Sequence, residues 1–83
     1  MEFILYTKTR CPLCNRLEDL IQPHLARIGV SVQKRDVLAN EHWRESYGDR
    51  IPVLTCDGRV LLEGRPEVAE IVRAFAVLQP SDA

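Results

Sequence analysis

The run Phe3-Ile4-Leu5-Tyr6-Thr7-Lys8-Thr9-Arg10-Cys11-Pro12-Leu13-Cys14 decides the fold of this chain. Phe3, Ile4, Leu5 and Tyr6 are apolar on both parities, the pattern of a strand covered on both faces, as in a sheet sandwiched by helices. Pro12 suits the first helical position, where its missing N–H costs nothing. Leu17, Leu20, Ile21, Leu25 and Ile28 then recur at helical spacing until Gly29 offers a C-terminal cap. The spacing predicts a first helix from about Pro12 to Ile28. Pro23 inside it removes a backbone hydrogen bond and crowds the preceding turn, which predicts a kink or break near Leu20 to Pro23.

Working outward, Val30-Ser31-Val32 alternates and Asp36-Val37 closes a second extended segment. Asn40 is a good N-cap for a short helix from Glu41 to Tyr47 ended by Gly48, with Trp43 and Tyr47 anchoring it to the sheet. Ile51 to Thr55 and Arg59 to Leu62 flank Asp57-Gly58, a hairpin signal because both turn positions tolerate positive φ. A last helix is expected to begin at Pro66, with Val68, Ile71, Val72, Phe75 and Leu78 on its apolar face. The order β-α-β-α-β-β-α is that of an α/β protein. A right-handed crossover pairs the first two strands in parallel, and the hairpin adds antiparallel strands. The expected product is a four-stranded mixed sheet with helices on both faces and the first and third strands inside. It spans residues 1–78 as one domain, leaving 79–83 as a flexible tail.

Composition agrees with one small domain: 83 residues, 46% of them hydrophobic, can build a single core. Eleven basic against twelve acidic residues leave a formal charge of −1, which argues against a phosphate backbone, and so against nucleic acid, as a partner. No apolar run approaches the roughly 18 residues a membrane span needs, so no membrane partner is expected. The opening Met1-Glu2-Phe3 is unlike a signal peptide, and a cytoplasmic, reducing location is the default. Three cysteines, Cys11, Cys14 and Cys56, are too few and odd in number for a disulfide-stapled scaffold, and call for chemistry or burial.

Cys11 and Cys14 sit where the buried strand gives way to a helix N-terminus, where unpaired N–H groups and the positive end of the macrodipole favour a thiolate. Lowering a thiol pKa by about two units takes about 2.7 kcal/mol. The dipole supplies about 0.3 to 1 kcal/mol, so Lys8 and N–H donation from Leu13 or Cys14 are the candidates for the rest. Cys14, one helical turn on, reaches Cys11 and shares a face with Leu17 and Ile21. Cys11 is then the exposed nucleophile and Cys14 the buried resolving thiol, with Pro12 stiffening the loop between them. A zinc site is the competing reading, but His24, His42 and Cys56 stand alone, so no metal is expected.

The stretch from Tyr6 to Cys14 resembles the active-site segment of glutaredoxins, which carry a Tyr, a Ser or Thr, a Lys, two variable residues and C-P-x-C. The element order matches over nearly the whole chain. The resemblance implies a thioredoxin-like fold, a thiol–disulfide oxidoreductase of the dithiol glutaredoxin type, and a cis Ile51-Pro52 bond beside the thiols. The Ile51 backbone would pair with an extended substrate or with glutathione. The departures are Leu13 in place of the usual Tyr, Arg50-Ile51-Pro52 in place of Thr-Val-Pro, and Glu63-Gly64-Arg65-Pro66-Glu67 where the family has Gly-Gly, a polar residue and Asp. No Asp stands at the family's glutathione-binding position, and Glu63 adds negative charge there.

The substrate or glutathione site implied by the resemblance comprises Lys8, Arg10, Ile51, Pro52, Gly64 and Arg65. Its partners would be a disulfide-containing protein or glutathione, together with a reductase that supplies electrons. No cofactor is built in, glutathione serves as a possible reductant, and a monomer is expected. The Gly64-Arg65-Pro66-Glu67 stretch is also similar to the Gly-Phe-Arg-Pro-Asp signature of small redoxins recharged by thioredoxin reductase, with one residue missing. An iron–sulfur carrier ligated through Cys11 and a non-catalytic binding module stand as further readings. Cys56 reads as a small hydrophobe in a strand before it reads as a regulatory thiol. For Arg10 and Arg16, carboxylate binding and surface solvation weigh evenly, and His24 reads as an exposed helix residue.

Overall fold

A computed structural model describes residues 1–78, and the expected tail at 79–83 lies outside the described residues. The elements are β1 (Phe3–Thr7), α1 (Pro12–Ile28), β2 (Val32–Asp36), a one-turn 3-10 helix (Val37–Ala39), α2 (Glu41–Tyr47), β3 (Val53–Cys56), β4 (Arg59–Glu63) and α3 (Val68–Ala76). The sheet order is β2-β1-β3-β4, with β1 parallel to β2 and antiparallel to β3, and β3 antiparallel to β4. The inner pair is therefore β1 and β3, as their apolar content predicts.

Strand β1 buries both of its faces. Phe3 and Leu5 pack with Leu17, Ile21 and Leu25 of α1 and Ile71 and Phe75 of α3. Ile4 and Tyr6 face the other way, onto Val37, Val53 and the half-buried Trp43 and Tyr47 of α2. Two aromatic stacks mark the two layers: Phe3 on Phe75 at 6.0 Å and Tyr6 on Tyr47 at 4.2 Å. Asp57 and Gly58 both hold positive φ, +52° and +85°, the hairpin geometry their residue types predict. Among the described residues no helix is long and apolar enough to cross a membrane.

Several expectations are corrected. Pro23 does not break α1, which runs unbroken to Ile28 and a left-handed Gly29. Pro23 and Asp19, whose carbonyl loses its partner, are both exposed, so the lost bond falls on the solvent face while Leu17, Ile21 and Leu25 hold both halves to the core. Helix α3 starts at Val68 rather than Pro66, because Glu67 is still extended and Pro66 is buried in the preceding loop. The apolar face of α3 is narrower than predicted: Ile71 and Phe75 are buried, whereas Val68 and Val72 are exposed. The second extended segment is shorter at both ends, since Val37 turns into the 3-10 helix once Asp36 accepts the Leu38 N–H at 2.8 Å. His24 is half-buried, stacked on Phe75 at 4.9 Å.

Phe75 thus joins α3, β1 and α1 at one point. Replacing it with Ala is expected to destabilise the fold by about 3–5 kcal/mol, read as a lower urea midpoint at unchanged slope.

Candidate active site

Strand register decides what meets at one end of the sheet. Thr7 at the end of β1 is level with Asp36 of β2, Tyr6 is opposite Val53, and Val53 is opposite Glu63. The exit of β1 towards Lys8 and Cys11, the entry to β3 at Ile51-Pro52 and the exit of β4 at Gly64 therefore lie at the same sheet edge. The Ile51-Pro52 bond is cis, and the Gly64 N–H donates to the Pro52 carbonyl at 2.8 Å. Gly64 holds φ +69°, a conformation that side-chain-bearing residues rarely adopt.

Cys11 is the N-cap of α1, with extended backbone at φ −120° and ψ 97°. Its Sγ accepts the Cys14 N–H at 3.2 Å, and its carbonyl accepts the Asn15 N–H at 3.0 Å. A sulfur thus occupies the place usually taken by a hydroxyl or carboxylate oxygen. No acidic side chain stands in the first turn to offset the positive helix end. Cys11 and Cys14 form a disulfide across 5.2 Å between their Cα atoms. Cys14 is 2% exposed, as its shared face with Leu17 predicts, but Cys11 is only 8% exposed. That corrects the expected exposed thiol: Cys11 is buried, its Sγ bonded to buried Cys14 and accepting the Cys14 N–H at the helix end.

The other predicted site residues fall into two groups. Lys8 and Arg10, both exposed, line a cleft of about 330 Å³ beside the start of α1, together with Asn15, Lys34 and Asp36. Arg10, directly before Cys11, holds φ +56°. Pro12 is exposed at the first helical position and Leu13 is 37% exposed. In the second group, Pro52 is fully buried and Ile51 half-buried against Val53 and Tyr6, while Gly64 is half-buried and Arg65 exposed. Glu63, read as a stray negative charge, accepts from Arg50 at 3.4 Å. Asn15, Lys34 and Asp36 were not among the candidates. Only the parallel register of β1 with β2 brings the last two to the cleft, and a single sequence carries no signal for that register.

The family described as Glutaredoxin-like domain (DUF836) matches residues 2–76. Protein Ne2328 from Nitrosomonas europaea is similar at 20% identity and a TM-score of 0.73, over 89% of this chain and 88% of its own. Thioredoxin 1 from Thermosipho africanus TCF52B is similar at 12% identity and 0.64, over 92% and 91%. Glutaredoxin from Brucella melitensis is similar at 20% identity and 0.54, over 88% and 76%. At these identities the structures establish the fold, which is thioredoxin-like. A disulfide-forming Cys11–Cys14 pair at the helix start of that fold is consistent with redox function.

In the oxidised chain Cys56 is the one free thiol. Partial burial raises its pKa above the ordinary thiol range, the Asp57 carboxylate raises it further, and the terminal ammonium opposes both. At neutral pH this thiol is protonated and a poor nucleophile. Asp57→Asn removes a negative charge that disfavours the thiolate, so the midpoint of Cys56 alkylation against pH is expected to move down. Iodoacetamide labelling followed by mass measures it.

Proposed function

The chain belongs to the glutaredoxin-like domain family, and from that premise we propose that it is a small thiol–disulfide oxidoreductase with Cys11 as nucleophile and Cys14 as resolving thiol. The observation that carries this reading is the 3.2 Å hydrogen bond from the Cys14 N–H to the Cys11 Sγ at the cap of α1. After reduction the same donor and the same helix end face a Cys11 thiolate, and both favour the charged form. Lys8, on the cleft wall by the start of α1, adds positive charge, and Pro12 and Leu13 set the loop between the sulfurs.

In the reducing direction the Cys11 thiolate attacks one sulfur of a substrate disulfide, and the other leaves with the electron pair as a thiolate that takes up a proton. Cys14, deprotonated, then attacks the Cys11 Sγ and expels the second substrate sulfur. The Cys11–Cys14 disulfide is formed, and two electrons and two protons have passed to the substrate. A thiol reductant, glutathione or a dithiol supplied by a reductase, restores the pair. The substrate is a disulfide-containing protein or glutathione, held at Lys8, Arg10, Arg65 and Gly64 and paired along the Ile51 backbone. The protein works as a cytoplasmic monomer with no resident cofactor or metal.

Cys11→Ser is expected to abolish disulfide reduction, and Cys14→Ser to accumulate a mixed disulfide on Cys11, seen as added mass. Undiminished turnover in Cys11→Ser would sink the assignment. NADPH-coupled reduction through glutathione and glutathione reductase, run beside thioredoxin reductase, identifies the electron donor. Turnover only with thioredoxin reductase would make this a redoxin, with Gly64-Arg65-Pro66 as the docking element.

A further inference from the structure

The cleft beside the start of α1 lies on a different face of the sheet from the Ile51 wall. Val32, on the same face of β2 as Lys34 and Asp36, packs with the α1 and α3 cluster, and the Lys34 Nζ meets a Glu18 carboxylate oxygen of α1 at 3.1 Å. Ile51 packs on the other face, with Tyr6 and Val53. The cleft therefore lies between β2 and α1, with the loop from Thr7 to Arg10 as a further wall. It borders Cys11 through the neighbours on both sides. Arg10 directly precedes Cys11, and the Asn15 N–H donates to the Cys11 carbonyl at 3.0 Å.

Three cations and one carboxylate line this space, Lys8, Arg10 and Lys34 against Asp36. Glu18 offsets Lys34, and the Asp36 Oδ1 accepts the Leu38 N–H at 2.8 Å. Among the described residues Lys8 and Arg10 take part in no ion pair, and both are exposed. Cations gathered in one cleft repel each other until an anion joins them. Arg10 also holds φ at +56°, a conformation that strains a long side chain and costs glycine nothing. Strain of this kind, directly before the proposed nucleophile, points to a use for the side chain that bears it. Sequence alone weighs carboxylate binding and surface solvation evenly for Arg10, and the cleft and the backbone tip that balance.

We propose that the cleft between β2 and α1 is a subsite for an anionic group of the disulfide substrate. Arg10, together with Lys34, binds a carboxylate carried a few bonds from the scissile sulfur, so that Arg10 selects acidic disulfides. This rests on reading Cys11 as the nucleophile. At about 330 Å³ the cleft is at the small end of ligand sites and takes one short acidic arm, while the rest of the substrate lies along the Ile51 backbone on the other side.

Dithiodipropionate and its diamide, alike in size and different in charge, test it. The second-order rate constant of the reduced protein toward each is divided by that of dithiothreitol, which removes the intrinsic reactivity of the two disulfides. The corrected acid-to-amide ratio is expected to be about tenfold in the native protein and about two or less in Arg10→Gly. Glycine takes φ +56° without strain, so that variant keeps the loop. A ratio taken within one variant depends neither on its folded fraction nor on the reactivity of its Cys11. A ratio near one in the native protein, or one that survives in Arg10→Gly, overturns the proposal. Survival there with loss in Arg65→Gln would place the anion at the Gly64 loop instead. Disulfide-linked dimers of a capped peptide with Glu beside its cysteine, set against the Gln twin, identify the source of the anion. The larger ratio falls to the peptides if the substrate is an acidic protein segment, and to dithiodipropionate if it is a small acidic disulfide.

A further arm separates this from the redox reading. Suberate, the all-carbon analogue of dithiodipropionate, cannot exchange. Titrated into the oxidised protein against sodium chloride of equal ionic strength, it is expected to shift the backbone amide resonances of Arg10 and Lys34. A shift there without exchange of any disulfide keeps the anion subsite and removes the oxidoreductase. Exchange with no shift and no preference for the acid does the reverse.

Discussion

Strand β1 has no face open to water, and most of the molecule follows from that. A strand apolar on both parities stays folded only if something covers each side, so the chain must supply a helical layer twice. Helices α1 and α3 cover Phe3 and Leu5, and α2 with the 3-10 turn covers Ile4 and Tyr6. A strand so enclosed has to lie inside the sheet, paired on both edges, and its partners β2 and β3 then align their own ends with it. Polar chemistry is left to the loops where β1 ends, since that is where the chain first meets solvent.

The two coverings are unequal. Helix α1 contributes Cys14, Leu17, Ile21, Leu25 and Ile28 to the buried set, while α2 contributes no fully buried residue. What holds α2 is aromatic contact at its inner edge, reinforced from outside by two arginines. Arg35 lies over Trp43 at 4.9 Å and donates to the Tyr6 hydroxyl at 3.2 Å. Arg50 lies over Tyr47 at 5.4 Å and donates to the Ser46 carbonyl at 3.0 Å. Such contacts contribute less than burial of an aliphatic stripe, so α2 belongs to the part of the fold that opens at lower free energy. The chain leaves α2 directly into Arg50-Ile51-Pro52, which gives one wall of the candidate site a softer mounting than the helix that carries the cysteines.

How much of this was legible follows from which interactions are local. The double burial of β1, the Asp57-Gly58 turn, the caps at Asn40 and Gly29 and the cysteine pair at a helix start are each written in residues close together in sequence. Each of these features stands in the structure where its local residues put it. Misreadings came where a distant segment decides. Pro66 looks like a helix start, but its burial keeps it in the loop. Pro23 looks like a break, but burial on the opposite face of α1 outweighs one lost hydrogen bond. Val68 and Val72 have the right spacing for a core, yet both are exposed, and Ile71 and Phe75 alone carry the buried face of α3. Arg16 is the strongest instance, because nothing in its neighbours along the chain says that one of its nitrogens is sealed from water. Cys11 sits at a loop-to-helix junction that reads as exposed, yet its bond to buried Cys14 goes with burial of its own side chain.

A helix capped by sulfur instead of oxygen ties two equilibria into one thermodynamic cycle. The Cys14 N–H has the Cys11 Sγ as its acceptor, so the quality of the cap changes whenever the charge on that sulfur changes. If the thiolate is the better acceptor, the reduced chain gains helix stability that the disulfide form lacks, and by closure of the cycle the disulfide is easier to reduce by the same amount. Folding free energy and electron affinity are then not separate properties of this domain. A substitution along α1 that strengthens its first turn more in one redox form than in the other shifts the reduction free energy by that difference.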